Sequence, residues 1–87
     1  MRTIEKYRLI GDVKSFVRMP TDAITISLQV QDGFPCIFTL IDDDSITWQN
    51  HTYDIIETGK PIPSIETKYI GTFVKGTTTF HVFEETE

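Results

Sequence analysis

Cysteine is almost absent from this chain of 87 residues, because Cys36 is the only one. A single cysteine excludes an intramolecular disulfide, and its place in an alternating apolar segment predicts a small core residue. Long hydrophobic runs are also absent: no stretch approaches the roughly 20 apolar residues that cross a bilayer, and residues 1–8 lack the apolar run of a signal peptide. These absences predict a soluble, intracellular protein with no membrane partner.

Motifs for catalysis and nucleotide binding are missing as well. The five glycines, at positions 11, 33, 59, 71 and 76, form neither a Gly-x-Gly-x-x-Gly motif nor a Walker loop. The imidazole bases are His51, in a predicted turn, and His81, on the outward face of a predicted strand, and no Gly-x-Ser-x-Gly elbow accompanies them. We therefore predict no catalytic or cofactor-binding residue, no cofactor, no small-molecule substrate and no enzymatic activity.

Positive charge is missing from the middle of the chain. Residues 1–18 carry a net charge of +3, residues 19–59 contain seven acids and no lysine or arginine, and residues 60–87 carry −1. The total of −5 opposes direct binding to nucleic acid, and the uneven distribution favours protein partners with complementary patches. The alternative is that the acids are ordinary turn residues that keep the protein soluble.

Three consecutive acids, Asp42, Asp43 and Asp44, offer the hard oxygen ligands that calcium and magnesium prefer. Their spacing does not fit an EF-hand loop, since the sixth and twelfth positions from Asp42 are Thr47 and Tyr53 rather than glycine and glutamate. Neighbouring residues of a strand also point in opposite directions. We expect a solvated turn and no metal site.

What the chain does contain favours strands. Isoleucine, valine and threonine number 12, 5 and 13, and these β-branched side chains prefer pleated surfaces to helices. A chain of this size buries roughly 60–65% of the surface of its unfolded form, which is enough for one modest core. We predict a single β domain over residues 1–87.

The clearest pattern is the alternation of apolar and polar residues over positions 24–40, which predicts a β-hairpin. A two-residue turn at Asp32-Gly33 would leave several apolar side chains on the polar face. A three-residue loop that begins at Gln31 would make one face wholly apolar, so we predict the longer loop. The expected pairs are Val30 with Phe34, Leu28 with Cys36, Ile26 with Phe38 and Ile24 with Leu40.

A second hairpin is predicted over residues 46–55, because apolar residues alternate on both sides of Asn50 and His51. A two-residue turn at that point would pair Trp48 with Tyr53, an aromatic pair across the strands.

A third hairpin is predicted over residues 68–83 around Lys75-Gly76, in which Gly71 indicates a bend or a close backbone contact. Residues 3–17 predict one or two strands interrupted at Gly11. Apolar residues lie on both faces of this first segment, so we expect it to be buried on both sides or bulged.

These elements predict an all-β fold. The first expectation is a small SH3-like or OB-like β-barrel of three hairpins plus an N-terminal strand pair, and the alternative is a compact two-sheet β-sandwich. The residues predicted to be largely buried are Ile26, Phe38, Trp48, Tyr53, Phe73 and Phe80.

Residues 44–56, Asp-Ser-Ile-Thr-Trp-Gln-Asn-His-Thr-Tyr-Asp-Ile-Ile, precede a proline-containing loop and then Lys-Tyr-Ile-Gly-Thr-Phe at 68–73. This order resembles the layout of small head-tail joining or head-completion proteins of tailed bacteriophages, in which a short turn, a Tyr-x-Ile strand, a variable loop and a last hairpin build part of a β-barrel. The resemblance implies a structural role, in which copies form a homo-oligomeric ring that seals or extends a portal ring. It also implies a location in the host-cell cytoplasm or the virion.

Two segments are predicted to form the partner-binding surface. One is the acidic turn Asp42, Asp43 and Asp44, in the region without positive charge, and the other is the loop of residues 58–64, which two prolines stiffen. The loop residues predicted to bind are Lys60, Pro61, Ile62 and Pro63. The alternative is a solvated turn beside an ordinary connection.

We therefore expect a non-enzymatic protein–protein interaction module, with a phage or mobile-element structural adaptor as the first expectation. The alternative is a small acidic inhibitor that binds a host protein, such as a defence or nucleic-acid-binding factor.

Overall fold

The computed structural model of the protein describes residues 1–63 and 65–86. Seven strands and no helix lie in this part of the chain. The strands are β1 (Arg2–Arg8), β2 (Lys14–Pro20), β3 (Ile24–Gln31), β4 (Phe34–Asp42), β5 (Trp48–Glu57), β6 (Thr67–Lys75) and β7 (Thr78–Glu85). The predicted all-β class is confirmed, in keeping with the high content of β-branched residues.

The strands form two antiparallel sheets, with the order β1-β4-β3 in the first and β2-β5-β7-β6 in the second. The sheets do not close into a barrel; between them, β3 contacts β6 and β2 contacts β4. Of the two predicted arrangements, the observed one is the two-sheet sandwich. Its Cα extents are 41 × 31 × 17 Å, as expected for two layers that pack about 10 Å apart.

The first predicted hairpin is present as β3 and β4, but its turn is shorter than predicted. Asp32 and Gly33 alone form the turn, with φ angles of 52° and 81°. A type I′ turn requires these left-handed conformations, and the Asp-Gly pair favours them. Val30 consequently pairs with Pro35 rather than with Phe34, so the predicted three-residue loop is wrong.

A β-bulge then restores the outer part of the predicted pairing. The register shifts between Thr25 and Ser27, and Ile24 lies opposite Leu40, as predicted. The pairs between the turn and the bulge are Gln29 with Cys36, Leu28 with Ile37 and Ser27 with Phe38, which are not the predicted ones. A bulge in the middle of a strand leaves no signature in an alternating sequence.

The second predicted hairpin is wrong, because β5 is one continuous strand. Asn50 and His51 are extended and pair with β2, and the other side of β5 pairs with β7. Trp48 therefore lies opposite Pro20 rather than Tyr53. Strands from distant parts of the chain outcompete the local turn, which contains no glycine to make it favourable.

The third predicted hairpin is confirmed, with its turn one residue later than predicted. The turn residues are Gly76 and Thr77, because Lys75 pairs with Thr78. Gly76 has a φ of 63° at the first central position, as in a type II′ turn. The shift brings Phe73 opposite Phe80, and the two rings stack with centroids 5.4 Å apart.

Gly71 makes the close contact that its position predicts. The register of β6 shifts between Tyr69 and Gly71, and a Cβ at Gly71 would lie 3.1 Å from the side chain of Leu28 in β3. The absence of a side chain therefore lets the two sheets approach each other at this point.

The core lies between the sheets. Its buried apolar residues are Leu9, Val17, Met19, Ile37, Tyr53, Ile55, Phe73 and Val82. The prediction is confirmed for Tyr53 and Phe73, and Cys36 is buried as predicted. It is wrong for Ile26 and Trp48, which are 51% and 45% exposed. Phe38 and Phe80 are half-buried.

The first segment forms β1 and β2, separated at Gly11 as predicted. The predicted N-terminal strand pair is wrong, because β1 pairs with β4 in the first sheet and β2 pairs with β5 in the second. β1 is an edge strand, exposed along most of its length instead of buried on both sides or bulged. Two hydrogen bonds show which residues of this segment bond to β4. The Leu9 amide donates to the Pro35 carbonyl, and the Asp43 amide donates to the Met1 carbonyl. Odd-numbered residues thus bond to β4. The even-numbered residues direct their backbone groups to an edge where no strand of the described chain pairs.

Candidate functional site

The candidate binding residues lie at two opposite ends of the sandwich, where strands begin and end. The hollow end consists of residues 8–13, 32–35, 55–61 and 73–80, where β1, β5 and β6 end and β4 and β7 begin. The acidic end consists of residues 21–22 and 42–47, where β4 ends and the chain enters β5. The ten residues of β5 lead from one end to the other, a distance of about 30 Å.

The hollow end holds a cavity of about 150 Å³ that opens to solvent between the sheets. Its lining residues are Arg8, Leu9, Ile10, Gly11, Asp12, Phe34, Pro35, Ile55, Phe73, Lys75 and Phe80. A cavity of roughly 150 Å³ with apolar walls holds a molecule the size of benzene. Taken alone, this cavity is the size of one apolar side chain and smaller than the roughly 300–1,000 Å³ of most small-molecule sites.

Inward-facing strand residues build the floor of this cavity, and the connection between β1 and β2 builds part of its rim. The stacked rings of Phe73 and Phe80 belong to the floor. At the rim the Arg8 guanidinium lies 3.5 Å from the centroid of the Phe34 ring, a cation–π contact. Ile10, in the connection between β1 and β2, is 72% exposed beside it.

A second hollow of about 280 Å³ adjoins the first and shares Asp12, Ile55 and Phe80 with it. Lys60 and Pro61, two of the predicted binding residues, line this second hollow. Ile62 is exposed and Pro63 is half-buried. Ser64, the last residue of the predicted loop, lies outside the described residues.

At the acidic end the three aspartates converge. The Met1 ammonium lies 3.4, 2.7 and 3.1 Å from carboxylate oxygens of Asp42, Asp43 and Asp44. Hydrogen bonds to Asp43 and Asp44 raise the pKa of this amino group to about 11. The backbone amide of Asp44 donates to Asp42, which lowers the pKa of the Asp42 carboxyl.

The expectation that these aspartates point apart is wrong, because Asp43 and Asp44 lie in a turn and not in a strand. Their ligand oxygens all lie within 4.8 Å of one another. Next to them, Ser45 donates a hydrogen bond to Asp22, and the Ile46 side chain is 95% exposed. The acidic end therefore presents an apolar side chain beside a cluster of negative charge.

The structure does not bring the two predicted parts of the partner surface together. Asp42, Asp43 and Asp44 lie at the acidic end, whereas Lys60 and Pro61 lie at the hollow end. Sequence reasoning missed the cavity itself. Its lining comes from five strands and the connection between β1 and β2. Only an apolar residue next to Gly11, in that connection, hints at it in the sequence.

A cluster of titratable groups lies on the outer side of the second sheet. The Lys14 ammonium is 3.5 Å from the nearly buried Asp54 carboxylate and 3.1 Å from Glu85. Burial raises the pKa of the Asp54 carboxyl, and the neighbouring Glu85 carboxyl raises it further. Burial alone would raise the pKa of Glu85, but the bonds to Asp54 and Lys14 lower it. Asp54 Oδ2 has no hydrogen-bond partner in the described chain.

The two histidines take different positions. His51 is buried in β5 rather than in a turn, with Nε2 2.9 Å from the Pro20 carbonyl oxygen. His81 lies on the outward face of β7, as predicted, with Nε2 2.8 Å from the Thr58 hydroxyl and Nδ1 3.0 Å from the Thr72 hydroxyl. In serine hydrolases a carboxylate orients the second ring nitrogen. At His81 a threonine hydroxyl occupies that position.

The fold and the hollow end define a small two-sheet β protein with a solvent-open cavity at one end. No helix in the described chain is long and apolar enough to span a membrane. The chain belongs to the family described as a domain of unknown function, DUF7352, whose sequence model matches residues 1–87. Neither the curated proteins nor the solved structures contain a match.

Proposed function

We propose that this protein is a non-enzymatic protein–protein interaction module that docks a partner at its hollow end. The observation that carries the proposal is the 150 Å³ cavity, with Phe73 and Phe80 in its floor and the exposed Ile10 at its rim. Interfaces concentrate their binding energy where one anchor side chain fills such a pocket, and neighbouring contacts exclude water around it.

The charges around the cavity indicate the chemistry of the partner. Arg8 and Lys75 line the cavity and Lys60 lines the adjoining hollow, against the acids Asp12 and Glu57. This excess of positive charge lies beside an apolar pocket. A partner segment with one aliphatic or aromatic anchor next to acidic residues complements both features.

The finer proposal is a structural adaptor of a phage or another mobile element. Its support is the resemblance of residues 44–73 to head-tail joining proteins and the presence of two chemically different ends, as an adaptor requires. The short turn expected at Asn50-His51 is replaced by a continuous strand, so the remaining support from that segment is its Tyr-x-Ile strand, proline-containing loop and last hairpin.

The second candidate is a small acidic inhibitor of a host protein. The observation in its favour is the convergence of three carboxylates at the acidic end, where the Asp43 and Asp44 side chains are 57% and 84% exposed. Such an inhibitor would bind a basic partner through this end and leave the cavity empty.

Selection from a random peptide library on the immobilised protein tests the docking proposal. Selected peptides should share one aliphatic or aromatic residue beside an acid. Lys75→Glu should weaken their binding about tenfold, because it reverses a charge at the cavity. Chemical shifts of Leu9 and Phe80 should change when the peptide binds.

Lys68→Glu is the matched control, since Lys68 is an exposed lysine on the same strand and lies outside the cavity lining. Its dissociation constants should equal those of the parent. Selected peptides that are basic, or that bind equally well to both variants, would rule out docking at the hollow end and favour the acidic end.

A further inference from the structure

We infer that the hollow end accepts the acidic end of a second copy of this chain, with Ile46 of one copy as the anchor in the cavity of the next. The inference rests on the proposed function and names the occupant of its docking site. The juxtaposition that carries it is an exposed apolar side chain flanked by acids at one end and an apolar cavity flanked by cations at the other.

Ile46 has the exposure that an anchor needs. Its side chain is 95% exposed, the highest exposure among the large apolar residues of the described chain. It lies in the connection of residues 43–47, which the Ser45–Asp22 hydrogen bond and the bond from the Thr21 amide to the Thr47 carbonyl hold against the connection between β2 and β3. Part of the ordering cost of binding is therefore met before the copies meet.

The size of the cavity fits this anchor. A space of about 150 Å³ accepts a benzene-sized group, and the isoleucine side chain has four carbon atoms against the six of benzene. Entry of Ile46 would bring it against the stacked rings of Phe73 and Phe80 and the side chain of Ile55. The isoleucine side chain would thus leave water for contact with these apolar groups.

The charges of the two ends are complementary. The acidic end carries four aspartates, Asp22 and Asp42 to Asp44, against the Met1 ammonium and Arg2. The cavity lining at the hollow end carries Arg8 and Lys75 against Asp12. A two-fold contact between identical ends would oppose like charges, whereas a head-to-tail contact joins opposite ones.

Head-to-tail contacts have a structural consequence. Each copy keeps one free hollow end and one free acidic end after the first contact, so association continues until the rotation between copies closes a ring or extends a filament. The self-association is expected to weaken as salt concentration rises, since the charges at both ends are exposed.

Sedimentation velocity on the full chain tests the inference through two variants that each remove one end. Ile46→Asp removes the anchor and Lys75→Glu reverses a charge at the cavity. Loss of the central anchor in Ile46→Asp should weaken association about 30-fold or more, and Lys75→Glu should weaken it about tenfold. Each variant alone should therefore be monomeric at concentrations where the parent associates. Ile4→Asp, at an apolar residue with 59% exposure on β1, and Lys68→Glu are the controls and should associate like the parent.

An equimolar mixture of the two variants decides between head-to-tail and two-fold contacts. The Ile46→Asp copy retains an intact cavity and the Lys75→Glu copy retains Ile46, so the mixture should form a dimer and nothing larger. A parent that stays monomeric, a mixture that stays monomeric, or loss of association in a control would each overturn the inference. If acid-flanked peptides still bind a monomeric parent, the docking site stands and its occupant is another protein.

Discussion

Asp54 places a carboxyl group in a nearly dry position on β5, with Lys14 on one side and Glu85 on the other. Its charge is therefore solvated by one ammonium and few other groups, and burial holds its pKa above the ordinary value of 3.8. Below pH 3.8 the carboxyl is neutral in both the folded and the unfolded chain. As the pH rises through the interval between 3.8 and the raised folded pKa, the unfolded chain releases the proton first and the folded state loses stability.

Asp54→Asn removes this loss, because the amide resembles the protonated acid and places no negative charge beside Glu85. We expect the variant to match the parent near pH 3.5 and to exceed its free energy of unfolding by about 1 kcal/mol at pH 7. Urea unfolding at a series of pH values measures the difference. Asp12→Asn, at an exposed carboxylate, is the control; a difference that does not change with pH would contradict the account.

The sequence predicted the burial of a residue correctly where that burial did not depend on which strands pair. Tyr53 and Phe73 lie on alternating segments that face the core in any pairing of the sheets, and both are buried. Trp48 is partly exposed because its predicted partner belongs to the same strand. The Asp54 cluster could not be found from the sequence, since its members join only through the pairing of β2 with β5 and the approach of β7.

The connection between β1 and β2 depends on Gly11 more than its neighbours indicate. Gly11 has a φ of 112°, and a Cβ at this position would lie 2.5 Å from the Lys14 carbonyl oxygen. Gly76 also has a positive φ, but nothing lies within 4 Å of a Cβ there. Substitution of Gly76 therefore measures the cost of the backbone conformation alone, and substitution of Gly11 measures that cost together with a steric clash.

We expect Gly76→Ala to lower the free energy of unfolding by about 1 kcal/mol, the cost of a left-handed conformation for an L-residue. Gly11→Ala should lower it by about 3 kcal/mol, because it adds a clash with backbone atoms that cannot turn away. Urea midpoints at equal m-values measure both costs. Equal costs would mean that the connection shifts without resistance and that Gly11 does not fix the rim of the cavity.

At the scale of elements, local pairings were predictable and distant ones were not. The hairpins of β3 with β4 and of β6 with β7 have a glycine in the turn, and their presence is read from the sequence with turn errors of one residue. β5 pairs with β2 and β7, and period-two alternation does not specify which distant strand is the partner. The cavity could not be predicted for the same reason, because it forms only where the ends of distant strands meet.

The whole molecule should open from its edges. β4 and β5 are bonded on both sides, whereas β1 is bonded to β4 alone. We expect amide exchange to be slowest at Ile37 and Tyr53. Within β1, the amides of Glu5 and Tyr7 should be protected and those of Ile4 and Lys6 should exchange at nearly unprotected rates. Hydrogen exchange followed by NMR measures this alternation, and equal protection along β1 would show that its free edge is covered in solution.

The free edge of β1 also bears on whether the protein stays in solution at high concentration. An exposed strand edge is a template on which a second copy can extend the sheet, and such growth leads to aggregates. The edge-facing residues of β1 are Arg2, Ile4, Lys6 and Arg8. Antiparallel pairing of two such strands sets Arg2 against Arg8 or Lys6, or Lys6 against its own copy, and like charges directly opposite each other disfavour the ladder. The three cations on this short strand thus oppose edge-to-edge pairing with a second copy.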